Sequence, residues 1–230
     1  RMLHLLLASA TLAAAASAAC TQAQMDIIVK CYTDYNVAYG VKDQFPPFNQ
    51  DYFEGFHRAR SNMMNKDGIV AKPAIQIYGA ALTECLKPVA ACIDDSTYEQ
   101  PPLLANPNAV DGPDGHRFNL DRLQTAYTCT EPGYSYQMRH FYCIDHFKAD
   151  TTSAPFVQMK KCNADMNTAL AGNPSDELKC SEYNKDMECY RDVFATYCRA
   201  EEAGEFYCQL VSQEYRIWAP NCNFIDCKKH

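Results

Sequence analysis

The sequence predicts an all-α, disulfide-rich fold of seven or eight helices behind a cleaved signal peptide, and three observations predict it. Apolar residues recur at spacings of three and four through most of the chain, as on amphipathic helices. No run alternates convincingly at period two, as a half-buried strand would. Thirteen cysteines follow an apolar N-terminal leader, and that combination belongs to the oxidising secretory route, where disulfides form and persist. At 230 residues, 47% hydrophobic and 12% aromatic, the chain has ample material for a core.

Residues 1–19 read as the leader. Arg1 gives a basic start, an apolar run extends from Leu3 through the alanines, and Ala16, Ser17, Ala18 and Ala19 put small residues where signal peptidase cuts. The run is Ala-rich and shorter than the ~20 strongly apolar residues of a membrane span. The expectation is a secreted, extracellular protein with no transmembrane anchor. Cleavage after Ala18 or Ala19 keeps Cys20 as the odd cysteine; cleavage after Ala23 removes it. The disulfide candidates are then Cys31, Cys85, Cys92, Cys129, Cys143, Cys162, Cys180, Cys189, Cys198, Cys208, Cys222 and Cys227, enough for six bridges.

Residues 20–93 form an N-terminal helical part. Ile28, Cys31, Tyr32, Tyr35 and Tyr39 share one helix face, and Gly40 is placed to end that helix. Phe45-Pro46-Pro47-Phe48 reads as an extended connector, because proline disfavours helix for the residue before it. Asp51 and Glu54 resemble a capping box, after which Phe53, Phe56, Arg60 and Met63 continue at helical spacing. Pro73 suits a first helical turn, and Ile75, Tyr78, Leu82 and Cys85 or Leu86 keep the period as far as Pro88. A break at Pro88 would allow a local Cys85–Cys92 bridge without requiring one.

Residues 94–117 hold Pro101, Pro102, Pro107, Gly112, Pro113 and Gly115 and no cysteine, which reads as a long loop or linker. Its DGPDG run lacks the order of an EF-hand and reads as a surface turn. Residues 118–230 form the cysteine-dense part, and 20–230 together read as one domain. Asn119 can cap a helix carrying Leu120, Leu123 and Tyr127, and a further helix runs from Tyr134 to Phe147. Phe156, Met159, Cys162, Met166 and Leu170 mark the next, closed by Gly172.

The central helix follows Asn173-Pro174. Its apolar stripe is Cys180, Tyr183, Met187, Tyr190, Phe194 and Tyr197, and Glu182, Lys185, Asp186, Glu188, Arg191 and Asp192 are expected on the solvent face. Along one helix Cys180, Cys189 and Cys198 stand about 13 Å from one another, whereas a disulfide needs Cα atoms within roughly 7 Å. Each must therefore reach a different segment, making this helix the post to which the others are stapled. It is expected to end near Gly204, before a last helix with Phe206, Tyr207, Leu210, Val211, Ile217 and Trp218, stopped by Pro220. Cys222 and Cys227 make either a local bridge or two separate staples.

The order Cys85-x6-Cys92, Tyr127-Thr128-Cys129, Tyr142-Cys143, Lys161-Cys162, Cys180, Met187-Glu188-Cys189-Tyr190 and Tyr197-Cys198 to Cys208 resembles a family of secreted cysteine-rich nematode proteins, grouped as domain of unknown function nineteen. The resemblance covers about Cys31 to Cys227 and implies an extracellular helical disulfide domain with no catalytic residue to carry over. In architecture alone the chain is also similar to helical disulfide receptors such as the glial-factor co-receptor domains.

Charge and motifs narrow the function classes. A net charge of −7 makes nucleic acid and anionic membranes poor partners, and the one Asn-x-Ser sequence, at Asn173, is disqualified by Pro174. His140, Cys143, Asp145 and His146 form a tempting cluster, but a metal would need Cys143 as thiolate and the two histidines point to different helix faces. Their order and context also depart from secreted phospholipases A2. Gly133-Tyr134-Ser135-Tyr136-Gln137 matches half of a nucleophile elbow without the strand that motif requires. No cofactor and no metal are expected. The fifteen Tyr and eleven Phe serve a core first and extracellular contact surfaces second. The first reading is a non-catalytic module that binds an extracellular protein; the second is a carrier of a small apolar ligand or lipid between helices; the third is a secreted enzyme. A filled core with an exposed aromatic patch would mark the module, an internal cavity the carrier, and convergent polar groups in a cleft the enzyme.

Overall fold

The structure, a computed structural model, describes residues 19–41, 50–99, 113–144 and 152–228. The leader up to residue 18, the Pro46-Pro47 connector and Asp145 and His146 lie outside the described residues. Among the described residues the α-helices are α1 Gln22–Ala38, α2 Gln50–Asp67, α3 Lys72–Leu86, α4 Pro113–Thr128, α5 Gly133–Arg139, α6 Ala154–Ala169, α7 Asp176–Cys198 and α8 Glu201–Trp218, and residues 141–144 are also helical. Short 3-10 turns at Gly68–Ala71, Lys87–Cys92 and Asp95–Glu99 join them. There is no β-strand among the described residues. The all-α, disulfide-rich class expected from the sequence is the class observed.

Local chemistry explains the starts and stops. Thr21 and Gln24 form a reciprocal capping box at the head of α1, each side chain accepting from the other's backbone N–H. Gly40, at φ 79°, turns the chain away after it. Ser175 accepts from the Leu178 N–H to open α7, and Asp176 and Glu177 place negative charge in its first turn. The helix ends at Arg199, left-handed at φ 53°, with Ala200 extended, so α7 stops before the expected Gly204.

Gly204 belongs instead to α8, and its role is close approach. A Cβ there would stand 2.5 Å from the Arg191 carbonyl oxygen and 2.9 Å from Ala195 Cβ. Three further expectations are corrected. The fourth helix begins at Pro113, so Gly115 is helical rather than part of a surface turn and Asn119 is no cap. Proline suits a first turn, and the Asn119 amide is used in binding Asp95 Oδ1 at 2.8 Å. The helix expected from Tyr134 to Phe147 is broken at His140, where α5 closes. On α7, Glu182 and Asp186 are buried at 9% and 3% exposure rather than solvated, while Tyr197 of the expected apolar stripe is exposed. The helix is covered on two sides, by α6 and by α8, which narrows its solvent face.

The core is assembled in neighbouring clusters. Met25, Ile28, Tyr32 and Tyr35 of α1 pack against Leu82 and Leu86 of α3, with Val89, Tyr98 and Phe118 closing over them. Tyr190 and Phe194 of α7 pack with Phe206 and Tyr207 of α8 and with Ile144, and Met166, Met187, Cys208 and Tyr215 extend that layer. Helix α4 touches both sides, meeting α3 on one and α8 on the other.

Six disulfides staple these layers. Cys20–Cys92 and Cys31–Cys85 tie α1 to α3 and the turn after it. Cys143–Cys198, Cys162–Cys189 and Cys180–Cys222 lead from α7 to three different segments, with Cα separations of 5.7, 6.0 and 5.3 Å. Cys208–Cys227 pins the tail to α8, so Cys222 and Cys227 are separate staples. The odd cysteine is corrected: Cys20 is bridged, and Cys129 is the free, buried thiol. The reason is the antiparallel pairing of α1 and α3. Once Cys31 and Cys85 join them, stepping back along α1 and forward past α3 brings Cys20 and Cys92 together. Cys129 ends up at the α3–α4 contact, with its thiol directed at the Ile75 carbonyl at 3.6 Å.

Candidate functional site: a cavity between the stapled halves

None of the six bridges links residues 20–92 to residues 143–227. Where these halves meet, around α4, a cleft partly open to solvent remains. A cavity of about 660 Å³ lies between α1, α2, α3, α4, α5 and α8, within the usual size of a small-molecule site, ~300–1,000 Å³.

Its lining is mixed: Ile75, Ile144, Phe206 and Leu210 are apolar, and Arg60, Lys72, Gln76, Asp121, Gln124 and Thr125 are polar or charged. Helical spacing places them. Asp121, Thr125 and Thr128 with Cys129 recur on one face of α4, and Phe206 and Leu210 lie one turn apart on α8. Arg60 of α2 crosses to α4, its Nη2 3.2 Å from Asp121 Oδ1. Burial works against the Arg60 charge, but Asp121, followed by Tyr35 and Tyr39, outweighs it and holds the guanidinium pKa above its ordinary value. Burial, then the Asp121 charge, pushes Tyr35 up to about 12. Burial also pushes the Cys129 thiol up, against the opposing pull of Thr128, Arg60 and Lys72. Cys129 is therefore a protonated thiol at neutral pH, not an activated nucleophile.

Thr125 is 3% exposed and its hydroxyl finds no hydrogen-bond partner. Helical threonines usually turn the hydroxyl back to a preceding carbonyl, as Thr128 does to Gln124 O at 2.8 Å. An unmet buried hydroxyl costs about 1–3 kcal/mol, and Thr125 carries that cost beneath the lining, its oxygen shielded from solvent.

A second polar cluster lies at the other end of α4. The His116 ring stacks on Trp218 with centroids 5.3 Å apart, and its Nδ1 is 3.1 Å from Asp95 Oδ2. Tyr215 donates to the buried Asp186 carboxylate, whose second oxygen has no partner. Burial pushes the Asp186 and Glu214 carboxyls up, Tyr215 and His116 respectively opposing it. Trp218 itself is 49% exposed.

The motifs weighed for chemistry separate in space or by bonding. Cys143 is oxidised to Cys198 and cannot be a thiolate, and His140 Nε2 pairs with Glu202 Oε2 at 3.0 Å. Ser135 sits within α5, where an elbow would need a strand-to-helix turn. Among the described residues no group of three or more His, Cys, Asp or Glu is arranged to hold a metal, and no helix is long and apolar enough to cross a membrane. The cavity residues were not marked as a site by sequence reading, though one signal was available: Arg60 interrupts the apolar stripe of α2, as a charge turned toward a partner does.

Comparison with protein-family models, curated proteins and solved structures finds no match. What stands is the coarser class: a disulfide-stabilised, all-helical protein of extracellular type.

Proposed function

We propose that this chain is a secreted, non-catalytic binding protein that carries a small, partly apolar molecule in the cavity around α4. The observation that supports the carrier over the protein-binding module is the space itself: a concave cleft of about 660 Å³, partly open to solvent, lies between the two stapled halves. Six disulfides fix the shape of each half separately, as suits a protein outside the cell. The module reading keeps its own support, since Val70, Ile77 and Tyr142 are 77%, 61% and 75% exposed. An enzyme is disfavoured because the cavity's thiol is held protonated and the polar wall presents amides and a paired Arg60–Asp121 rather than a nucleophile with its base.

The test is native mass spectrometry of oxidised protein purified from culture medium without detergent. One small molecule per chain, released on denaturation, is the expected result. A bare polypeptide mass together with retention of one extracellular protein in a pull-down would transfer the proposal to the module.

A further inference from the structure

We infer that the cleft takes a neutral sugar, held by amide and hydroxyl side chains, with a C–H face of its ring against Tyr134. The inference rests on the carrier reading and names the ligand class. What a guest can touch is set by which lining side chains reach the surface. Ile75, Ile144 and Phe206 are 7%, 1% and 2% exposed, so they lie beneath the cleft with Thr125 and Cys129. The aliphatic side chains that remain accessible are Met64 and Leu210. That is little carbon surface for a lipid tail, whose binding scales with the apolar area it buries.

The accessible remainder is mostly neutral and polar. Ser61 and Asn65 stand one turn apart on α2, and Gln124 and Thr128 one turn apart on α4. Gln76 of α3 and Tyr134 of α5 join them, and all six are at least partly exposed. Among the described residues the side chains of Ser61, Asn65, Gln124 and Tyr134 make no hydrogen bond. Gln76 donates from its amide to the Cys129 carbonyl at 3.2 Å, and Thr128 from its hydroxyl to the Gln124 carbonyl at 2.8 Å, and both keep an oxygen able to accept. The charged lining residues are engaged within the protein instead. Arg60 pairs with Asp121 at 3.2 Å, Lys72 Nζ lies 5.8 Å from the centroid of the Phe141 ring, and all three have further partners. Selection therefore falls to amides and hydroxyls. An amide sets a donor beside an acceptor and a hydroxyl is both at once, the alternation that adjacent hydroxyls on a sugar ring present. A sugar ring also has a face of C–H bonds, which packs on an aromatic side chain such as Tyr134.

The experiment is saturation-transfer difference NMR of the oxidised full chain with maltose, cellobiose, lactose and N,N′-diacetylchitobiose, followed by isothermal titration with the sugar that gives the strongest transfer. Expected is one sugar per chain, with an affinity that changes less than about twofold between about 20 and about 500 mM salt, because no unscreened charge holds it. Gln124→Leu and Tyr134→Leu, both at partly exposed positions, should each weaken binding about tenfold. Melting curves show whether each variant is folded, and the salt series on the wild type tests the inference without any variant. Binding that salt abolishes, or that both folded variants retain in full, overturns the inference. If no disaccharide binds, native mass spectrometry of protein from culture medium separates the two readings. A released sugar supports the inference, a released molecule of another class overturns it and leaves the carrier reading standing, and a bare chain ends both.

Discussion

Replacing Gly79 by alanine tests the α3–α4 contact on which the cavity depends. A Cβ at this position would overlap Cys129 Sγ and stand 2.8 Å from Cys129 Cβ and 2.9 Å from Thr125 Cγ2. Carbon atoms in contact prefer about 3.5–4.0 Å, so the helices must part by roughly 0.7 Å or α4 must rotate. Neither is free, since Cys129 and Thr125 are only 4% and 3% exposed. Overpacking of this kind costs about 2–3 kcal/mol, and the higher helix propensity of alanine returns about 1 kcal/mol, leaving a net loss of about 1–2 kcal/mol. Equilibrium guanidinium unfolding with the disulfides intact measures it. Because Cys129 is in no bridge, Gly79→Ala combined with Cys129→Ala removes the sulfur overlap, and a double-mutant cycle should show coupling of about 1 kcal/mol in the direction of rescue. A Gly79→Ala variant that is more stable than the parent, as at a solvent-facing helical glycine, would refute the close approach and with it the placement of the cavity wall.

Two further outcomes are expected. The native state holds the Asp186 proton more tightly than the unfolded chain, because burial raises its carboxyl above the ordinary 3.8; its stability is therefore full below that value and is lost as pH rises through the raised one. Asp186→Asn, which can still accept from Tyr215, should match the wild type in acid and equal or exceed it near neutrality in pH-resolved thermal melts; a variant weaker only near neutrality would reverse the assignment. Reduction should collapse the helical circular-dichroism signal while a chelator leaves it intact, since each bridge supplies ~2–4 kcal/mol against a net stability of only ~5–15 kcal/mol; unfolding by chelator alone would mean that metal, not disulfide, holds the cysteines.

Sequence periodicity was sufficient for the helices because each must bury one stripe, and that demand is local. Met25 to Tyr39, Phe156 to Leu170 and the α7 stripe through Phe194 all lie in helices close to their expected bounds. Helix rise alone dictated that Cys180, Cys189 and Cys198 bond to separate segments, as they do. Contacts between elements are different, since spacing along the chain carries no distance across space. Which cysteine stays free was decided by the antiparallel α1–α3 pairing and by the seating of Cys129 against Ile75 and Gly79. Gly204 looked like a terminator because glycine serves both for left-handed turns and for close approach, and only the position of the Arg191 carbonyl distinguishes the two. Asp186 looked solvated because its polarity says nothing about a third helix lying over it. The cavity is the extreme case: its walls come from α1, α2, α3, α4, α5 and α8 together with Ile144, and their individual patterns are ordinary. The sequence by itself determined helical stripes, a disulfide count and an acidic balance, all properties of short segments or of composition; the space between the stapled halves, and the charges gathered on it, exist only once those segments are packed.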